Sequence, residues 1–172
     1  MGKIAASTPK LSYMIFVLLG TFPLTFPRPL VEIEKLIQTG VITDEVIVQS
    51  GHTPFQSDHM KIIPFMPLDE LLSLYQRADL IITQAGTGSI IKGLKLNKKM
   101  IAIARLAKLG EHVDDHQSEL IKEFSECNFL LPWSEQDQLA DILEKIADFK
   151  PQVYKSENKA IVNYLIDYID NV

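Results

Sequence analysis

The sequence predicts an α/β domain whose parallel sheet is covered by helices on both faces. Three observations carry this. Residues 14–19, 46–49, 80–83 and 100–104 are short, continuous apolar runs, and a strand without polar alternation is one buried on both faces. Between most of these runs stand amphipathic stretches at helical spacing. Strands alternating with helices in this way wind a parallel, Rossmann-like sheet.

The elements follow in order. The run 14–19 ends in Gly20-Thr21, and the proline-rich loop LTFPRP comes next. Pro29 suits the first turn of a helix over 30–38, where a missing N–H costs nothing, and Gly40 closes it. A strand over 46–49 ends in Ser50-Gly51, and 52–59 reads as an exposed loop. A strand over 62–65 leads to Pro67, which opens a helix with Asp69 and Glu70 in its first turn, where negative charge is favoured. Leu68, Leu71, Leu72 and Tyr75 are its expected buried stripe. Strands at 80–83 and 100–104 follow, separated by a helix opening near Ser89 with Ile90, Ile91 and Leu94 inward. A short strand is expected at 129–131. Ser134 with Asp137 reads as a capping signature before Leu139, Ile142, Leu143 and Ile146. Pro151 breaks that helix, and a last one is expected over 155–169 with Ile161, Val162, Leu165, Ile166 and Ile169 on one face.

The 172 residues are of single-domain length, 47% hydrophobic and 23% charged, which excludes a disordered chain. A net charge of −5 argues against a nucleic-acid-binding domain. Lys92, Lys95, Lys98, Lys99, Arg105 and Lys108 nevertheless cluster with no acid between Lys92 and Gly110. Such a patch suits a small anionic ligand or an anionic surface; a solvated helix face is the plainer reading. Cys127 is the single cysteine, so no disulfide framework or zinc ribbon is expected, and a reducing cytoplasm fits. No apolar run approaches membrane-spanning length. Residues 1–13 lack the apolar region of a signal peptide and read as a tag, a linker or an upstream extension, with one domain over 14–172.

The stretch DLIITQAGTGSIIKGLKLNKKMIAIARLAKLGEHVDDHQSEL organises the chain. Gly86 and Gly88 let the backbone turn tightly after a strand and approach a ligand. The helix that follows offers unpaired N–H groups and the positive end of its dipole, a ready anion site. The GTGS turn alone is equally an ordinary strand-to-helix turn, and it is neither a Walker loop nor GxGxxG. Ligands of such sheets bind beyond the carboxyl ends of the strands. The loops after Leu19, Phe65, Thr83 and Ala104 should therefore converge on one crevice.

Arg105 directly follows an apolar strand and is expected to reach that crevice as a fixed cation. Glu111, His112, Asp114, Asp115, His116 and Gln117 fall within seven residues. A capped, solvated helix start explains them, with Asp114 as N-cap. A metal site is a second reading, since His112 and His116 stand four apart; Val113 in place of the zincin Glu speaks against it. A nicotinamide dinucleotide site is a third, but Arg105 stands where an acid should hold the ribose, which suits only a 2′-phosphate. A nucleotide-sugar site is the fourth: diphosphate on the GTGS helix start, and carboxylates, His and Gln on ribose and sugar hydroxyls. It uses every group and needs no metal.

IFVLLGT, FxR at Phe26–Arg28, VQSG at Val48–Gly51, ITQAGTGSI and GEHVDDHQ together resemble the family 28 glycosyltransferases of GT-B fold. The likeness is to small split forms of the Alg13 and the PssE or EpsF kind, and it runs from Met14 to about Trp133. It implies the donor-binding, C-terminal half of a two-domain enzyme. The acceptor half would be a separate membrane-anchored polypeptide of the Alg14 or PssD kind, which recruits a cytoplasmic chain to the inner face of the membrane. Carried over, Gly86, Thr87, Gly88 and Ser89 cradle the diphosphate, with Gly20, Thr21 and Arg105 at the same cleft. Phe65 and Met66 read the uracil. His116 and Gln117 hold sugar hydroxyls, supported by Glu111 and Asp115. The chemistry implied is inverting transfer of a hexose from a UDP-sugar to a lipid-linked oligosaccharide in exopolysaccharide or capsule synthesis. Galactose or glucose is expected ahead of GlcNAc, with no cofactor or metal and no nucleic acid. His112 is the candidate general base unless the partner supplies it. Two positions depart from the family's usual pattern: Lys92 stands where many relatives have a ribose-gripping Glu, and Ala104 where many have Pro before the arginine. The rival classes are a non-catalytic nucleotide-binding or regulatory module and an NADP-dependent oxidoreductase.

Overall fold

A computed structural model describes residues 13–155. Residues 1–12 of the expected extension, and all but the first residue of the helix expected at 155–169, lie outside the described residues. Tyr13, counted with the extension, belongs to the fold: it is half-buried, and its carbonyl accepts from the amide of Glu45 at 3.3 Å.

The described elements are β1 (Met14–Leu18), α1 (Arg28–Gln38), β2 (Glu45–Gln49), β3 (Lys61–Ile63), α2 (Leu68–Arg77), β4 (Leu80–Gln84), α3 (Thr87–Lys95), β5 (Lys99–Ile103), α4 (His116–Glu126), β6 (Leu131–Trp133) and α5 (Leu139–Asp148), with one 3-10 turn at Ala107–Leu109. All strand pairs are parallel, in the order β3-β2-β1-β4-β5-β6. Phe16 of β1 stands opposite Ile47 on one side and Ile81 on the other. Chain order reverses between β1 and β4, the switch point of a doubly wound sheet.

Alternate residues of the central strands feed two cores. Ile15, Val17, Leu80, Ile82, Ile101 and Ile103 meet Leu30, Ile33 and Leu36 of α1 and Leu139, Ile142 and Ile146 of α5. Met14, Phe16, Leu18, Ile81, Met100 and Ala102 meet α2, α3 and α4 on the other face. Burial on both faces is why these strands read as unbroken apolar runs. Gly93 lets α3 lie close on the sheet, since a Cβ there would collide with the Met100 sulfur.

Four expectations are corrected. In α2 the buried residues are Leu74 and Tyr75; Leu71 packs in part, whereas Leu68 and Leu72 remain exposed. That helix rests on the sheet through its second half, where Tyr75 meets Phe16 edge-on at 5.6 Å. The last strand is β6, shifted toward Trp133 from the expected 129–131; Pro132 is tolerated because β6 is an edge. Asp137 Oδ2 does accept from the Ser134 amide at 2.8 Å and hydroxyl at 2.6 Å, but this closes a turn, and α5 begins only at Leu139. The lysine cluster is divided in its roles. Lys98 donates to the carbonyls of Gln76 and Ala78, and Lys99 to those of Ile146 and Ala147, so each caps a helix C-terminus.

At the carboxyl edge the loops lie almost in contact. Gly51 has φ +57°, and a Cβ on it would stand 2.1 Å from the Gly20 carbonyl oxygen. Both backbones are tied, because Gly51 N donates to Pro64 O at 2.9 Å and Gln49 Nε2 to Gly20 O at 3.4 Å. Gly51→Ala is expected to destabilise the fold by about 2 kcal/mol or more. Thermal unfolding measures this, and an unchanged Tm would contradict it.

Candidate functional site

The loops that follow β1, β3 and β4 surround a cleft of about 280 Å³ at the switch point. Gly20, Thr21, Phe65, Met66, Gly86, Gly88 and Ser89 all line it, joined by Leu18, Gln49, Leu71 and Gln84. Thr87 is the exposed first residue of α3 beside them. Phe65 stands at the mouth, 52% exposed, with His52 edge-on at 5.1 Å.

The helix α3 starts at Thr87, two residues before the expected Ser89. Gly86 is its N-cap and no side chain caps it, so the amides of Thr87, Gly88 and Ser89 have no partner within the helix. Tyr75 steadies this turn by donating its hydroxyl to the Ser89 carbonyl at 3.2 Å, and burial pushes its phenol up to about 12. Gln84 was missed in the sequence. It is 8% exposed, its Oε1 accepts from Arg105 Nε at 2.6 Å, and its Nε2 has no hydrogen-bond partner among the described residues. That nitrogen lies where a Cβ on Gly20 would collide with it, and 3.5 Å from where a Cβ on Gly86 would stand. A signal existed: Leu80, Ile82 and Gln84 share one face of β4, as Ile101, Ile103 and Arg105 do along β5, so the pair could be placed by alternation.

Arg105 does not reach the crevice surface as expected. It is fully buried, and four of its N–H groups are engaged. Nε donates to Gln84, Nη1 to the carbonyls of Leu24 (2.7 Å) and Glu111 (3.2 Å), and Nη2 to that of Leu19 (2.8 Å). Its guanidinium lies over Phe26 at 4.8 Å, and Arg28 stacks on the same ring at 5.3 Å. Burial draws its pKa down to about 10, partly opposed by Glu111, which leaves it charged at neutral pH. A cation so engaged has no open fork for a ribose 2′-phosphate, which removes the ground for the NADP reading.

The segment before α4 is pinned rather than open. Glu111 is buried; it accepts from Arg28 Nε at 3.1 Å and Nη2 at 2.8 Å and from the Leu106 amide at 3.0 Å. Its carboxylate therefore supports the loop and does not face a sugar. Gln117 is buried with Oε1 on the Arg105 amide at 2.9 Å. Asp115, not Asp114, is the N-cap of α4; its Oδ1 accepts from the Ala107 amide, while Asp114 Oδ1 accepts from His116 N. His116 is exposed, with Nδ1 3.3 Å from Glu119. His112 stacks on Phe22 at 4.4 Å with Nδ1 against Asp114, and it does not line the cleft. It precedes α4, so His112 and His116 do not share a helical face as the metal reading required. Among the described residues no group of three or more His, Cys, Asp or Glu is gathered as metal ligands. Lys92 lies over the Tyr75 ring at 5.7 Å.

A doubly wound parallel sheet with a glycine-lined cleft at its switch point places the chain among the Rossmann-like α/β domains, in the form found in the C-terminal halves of GT-B glycosyltransferases. More narrowly, the chain belongs to the glycosyltransferase family 28 C-terminal domain family, whose model matches residues 15–172. It is similar to the UDP-N-acetylglucosamine transferase subunit ALG13 of Candida albicans, 34% identical over 80 residues, 46% of this chain and 26% of that protein. The same subunit of Candida glabrata is 27% identical over 106 residues, 61% and 49%. The chain thus spans half or less of these two relatives. Among solved structures, the solution structure of ALG13 superposes with a TM-score of 0.52 at 19% identity, covering 90% of this chain and 94% of that one. The glycotransferase of kitacinnamycin gives 0.59 at 14%, covering 86% and 39%. At those identities the likeness is one of fold.

Glu111→Ala would strand the Leu106 amide and Arg28 together. The expected loss is about 2–3 kcal/mol, below the ~3–5 of a fully buried pair because Arg28 keeps part of its side chain in water. Urea unfolding should show a lower midpoint at an unchanged slope; an unchanged midpoint would contradict the pinning role.

Proposed function

We propose that this chain binds the UDP moiety of a nucleotide-sugar and is the donor-side part of an inverting glycosyltransferase completed by a second polypeptide. The observation that carries this is the uncapped start of α3 with the Gln84 amide nitrogen beside it, inside a cleft whose far end is Phe65 and Met66. A helix N-terminus contributes roughly 0.3–2 kcal/mol toward an anion. A diphosphate therefore needs further donors, and Gln84 supplies one. Uracil would lie against Phe65 and Met66. Thr21 and the exposed face of the 112–117 segment, His116 and Asp115 included, would meet ribose and sugar.

In the reaction an acceptor hydroxyl oxygen bonds to the anomeric carbon as that carbon's bond to the β-phosphate oxygen breaks. The hydroxyl proton passes to a general base, and the electron pair leaves with UDP. The chain's part is to hold the diphosphate and stabilise charge gathering on it, through amides already aimed at the site. The base is assigned to the partner rather than to His112, which lies outside the cleft lining.

Support for a partner comes from exposed apolar side chains on the same edge: Leu24, Phe65, Leu109 and Val113. A partner of the Alg14 kind, with a lipid-linked acceptor, is the occupant this reading assigns to that edge. Among the described residues no helix is long and apolar enough to cross a membrane; this reading gives membrane attachment to the partner on the likeness to the split forms. For the sugar, the names of the two curated relatives favour UDP-N-acetylglucosamine over the galactose or glucose expected from the sequence. Neither name mentions exopolysaccharide or capsule.

Calorimetric titration with UDP, UDP-GlcNAc, UDP-galactose and UDP-glucose tests this. UDP should bind the chain alone, UDP-GlcNAc should bind at least as tightly as the two hexose donors, and transfer should require the partner. Absence of UDP binding would overturn the proposal, and efficient transfer by the chain alone would overturn its two-polypeptide part.

A further inference from the structure

We propose that Arg105 is a positioning residue for the donor site: it fixes which end of the Gln84 amide faces the cleft. This rests on the reading of the cleft as a diphosphate site. A glutamine amide has nearly the same shape either way round, with an acceptor at one end and two donors at the other. Arg105 is a donor at every N–H, so only the Gln84 oxygen can meet its Nε, which it does at 2.6 Å. The reversed amide would oppose donor to donor in a buried place and leave both without partners. Nε2 is therefore held on the cleft side, between Gly20 and Gly86.

The guanidinium cannot turn to release it. Nη1 and Nη2 are fastened to the carbonyls of Leu19, Leu24 and Glu111, which belong to two different loops, and Phe26 lies beneath the plane. The Arg105 backbone is itself held by Gln117 Oε1 at 2.9 Å. A relay thus runs from Gln117 through Arg105 to Gln84. Arg105 acts at the cleft without touching the ligand, and it makes the site selective for a ligand bearing acceptor oxygens at the switch point. A glutamate at position 84 would keep the acceptor that Arg105 needs and turn the cleft-facing donor into a charged oxygen.

The test compares UDP with uridine, which lacks the diphosphate, on the full chain by NMR titration. For Gln84→Glu the fold should be kept or strengthened, uridine affinity unchanged, and UDP affinity lowered about tenfold or more. Equal losses for UDP and uridine would show a merely structural role and overturn the inference, as would unchanged UDP affinity. Arg105→Lys in wild-type and Gln84→Ala backgrounds completes a double-mutant cycle: action through Gln84 predicts that the lysine weakens UDP binding less in the alanine background. Strictly additive losses would overturn the relay; should the lysine variant fail to fold, the glutamate variant decides alone. Failure of the wild-type chain to bind UDP removes the donor reading and this inference with it, whereas normal wild-type binding with an indifferent Gln84→Glu removes the inference only.

Discussion

One buried positive charge sets the geometry of the carboxyl edge. Arg105 leaves β5 and enters a space closed by the loop after β1, the end of β4 and the segment that follows Arg105 itself. A guanidinium removed from water costs several kcal/mol unless its N–H groups are met by acceptors. Here three carbonyls and one side-chain amide meet them, with an aromatic face adding a cation–π contact. Each acceptor belongs to a segment that borders the cleft or braces it. The Glu111–Arg28 pair locks the same loop from outside and shares Phe26 with Arg105. The FxR and GEHVDDHQ motifs are thus two halves of one clamp.

The clamp matters for binding because a site held in place needs little ordering when a ligand arrives. Gln49 does the same on the other side, donating to Gly20 O at 3.4 Å and Pro64 O at 3.0 Å, so the loops after β1 and β3 are tied together. Between these braces the glycines at 20, 86 and 88 leave room, and α3 presents its amides. Shape and electrostatics at the switch point therefore come from backbone, with Gln84 as a side-chain donor among them. Phe65 is exposed at the mouth of the cleft, and Leu24, Leu109 and Val113 are exposed on the loops after β1 and β5.

Much of this was legible in the sequence. The central strands, all helices within the described residues and the convergence of Gly20, Thr21, Phe65, Met66 and the GTGS turn followed from unbroken apolar runs and helical spacing. The side chains that misled were charged residues in the segment between β5 and α4. Charge suggested that Arg105 and Glu111 face ligand, whereas each is buried and satisfied internally. The period of two along β4 and β5 held the information that Gln84 and Arg105 share a face, but motif reading treated both as loop residues. Leu68 and Leu72 failed for a different reason: helical spacing identifies a stripe without saying how far the helix overhangs the sheet. β6 was displaced because a central proline disguises an edge strand.

The central claim is that a nucleoside diphosphate sits where β4 passes into α3. A crystal structure of the chain with UDP tests it most directly. The account predicts diphosphate oxygens within about 3 Å of the amides of Gly88 and Ser89 and of Gln84 Nε2, with uracil against Phe65 and Met66. UDP found instead in the groove of about 380 Å³ between α4 and β6, lined by Ile121, Lys122 and Trp133, would contradict it.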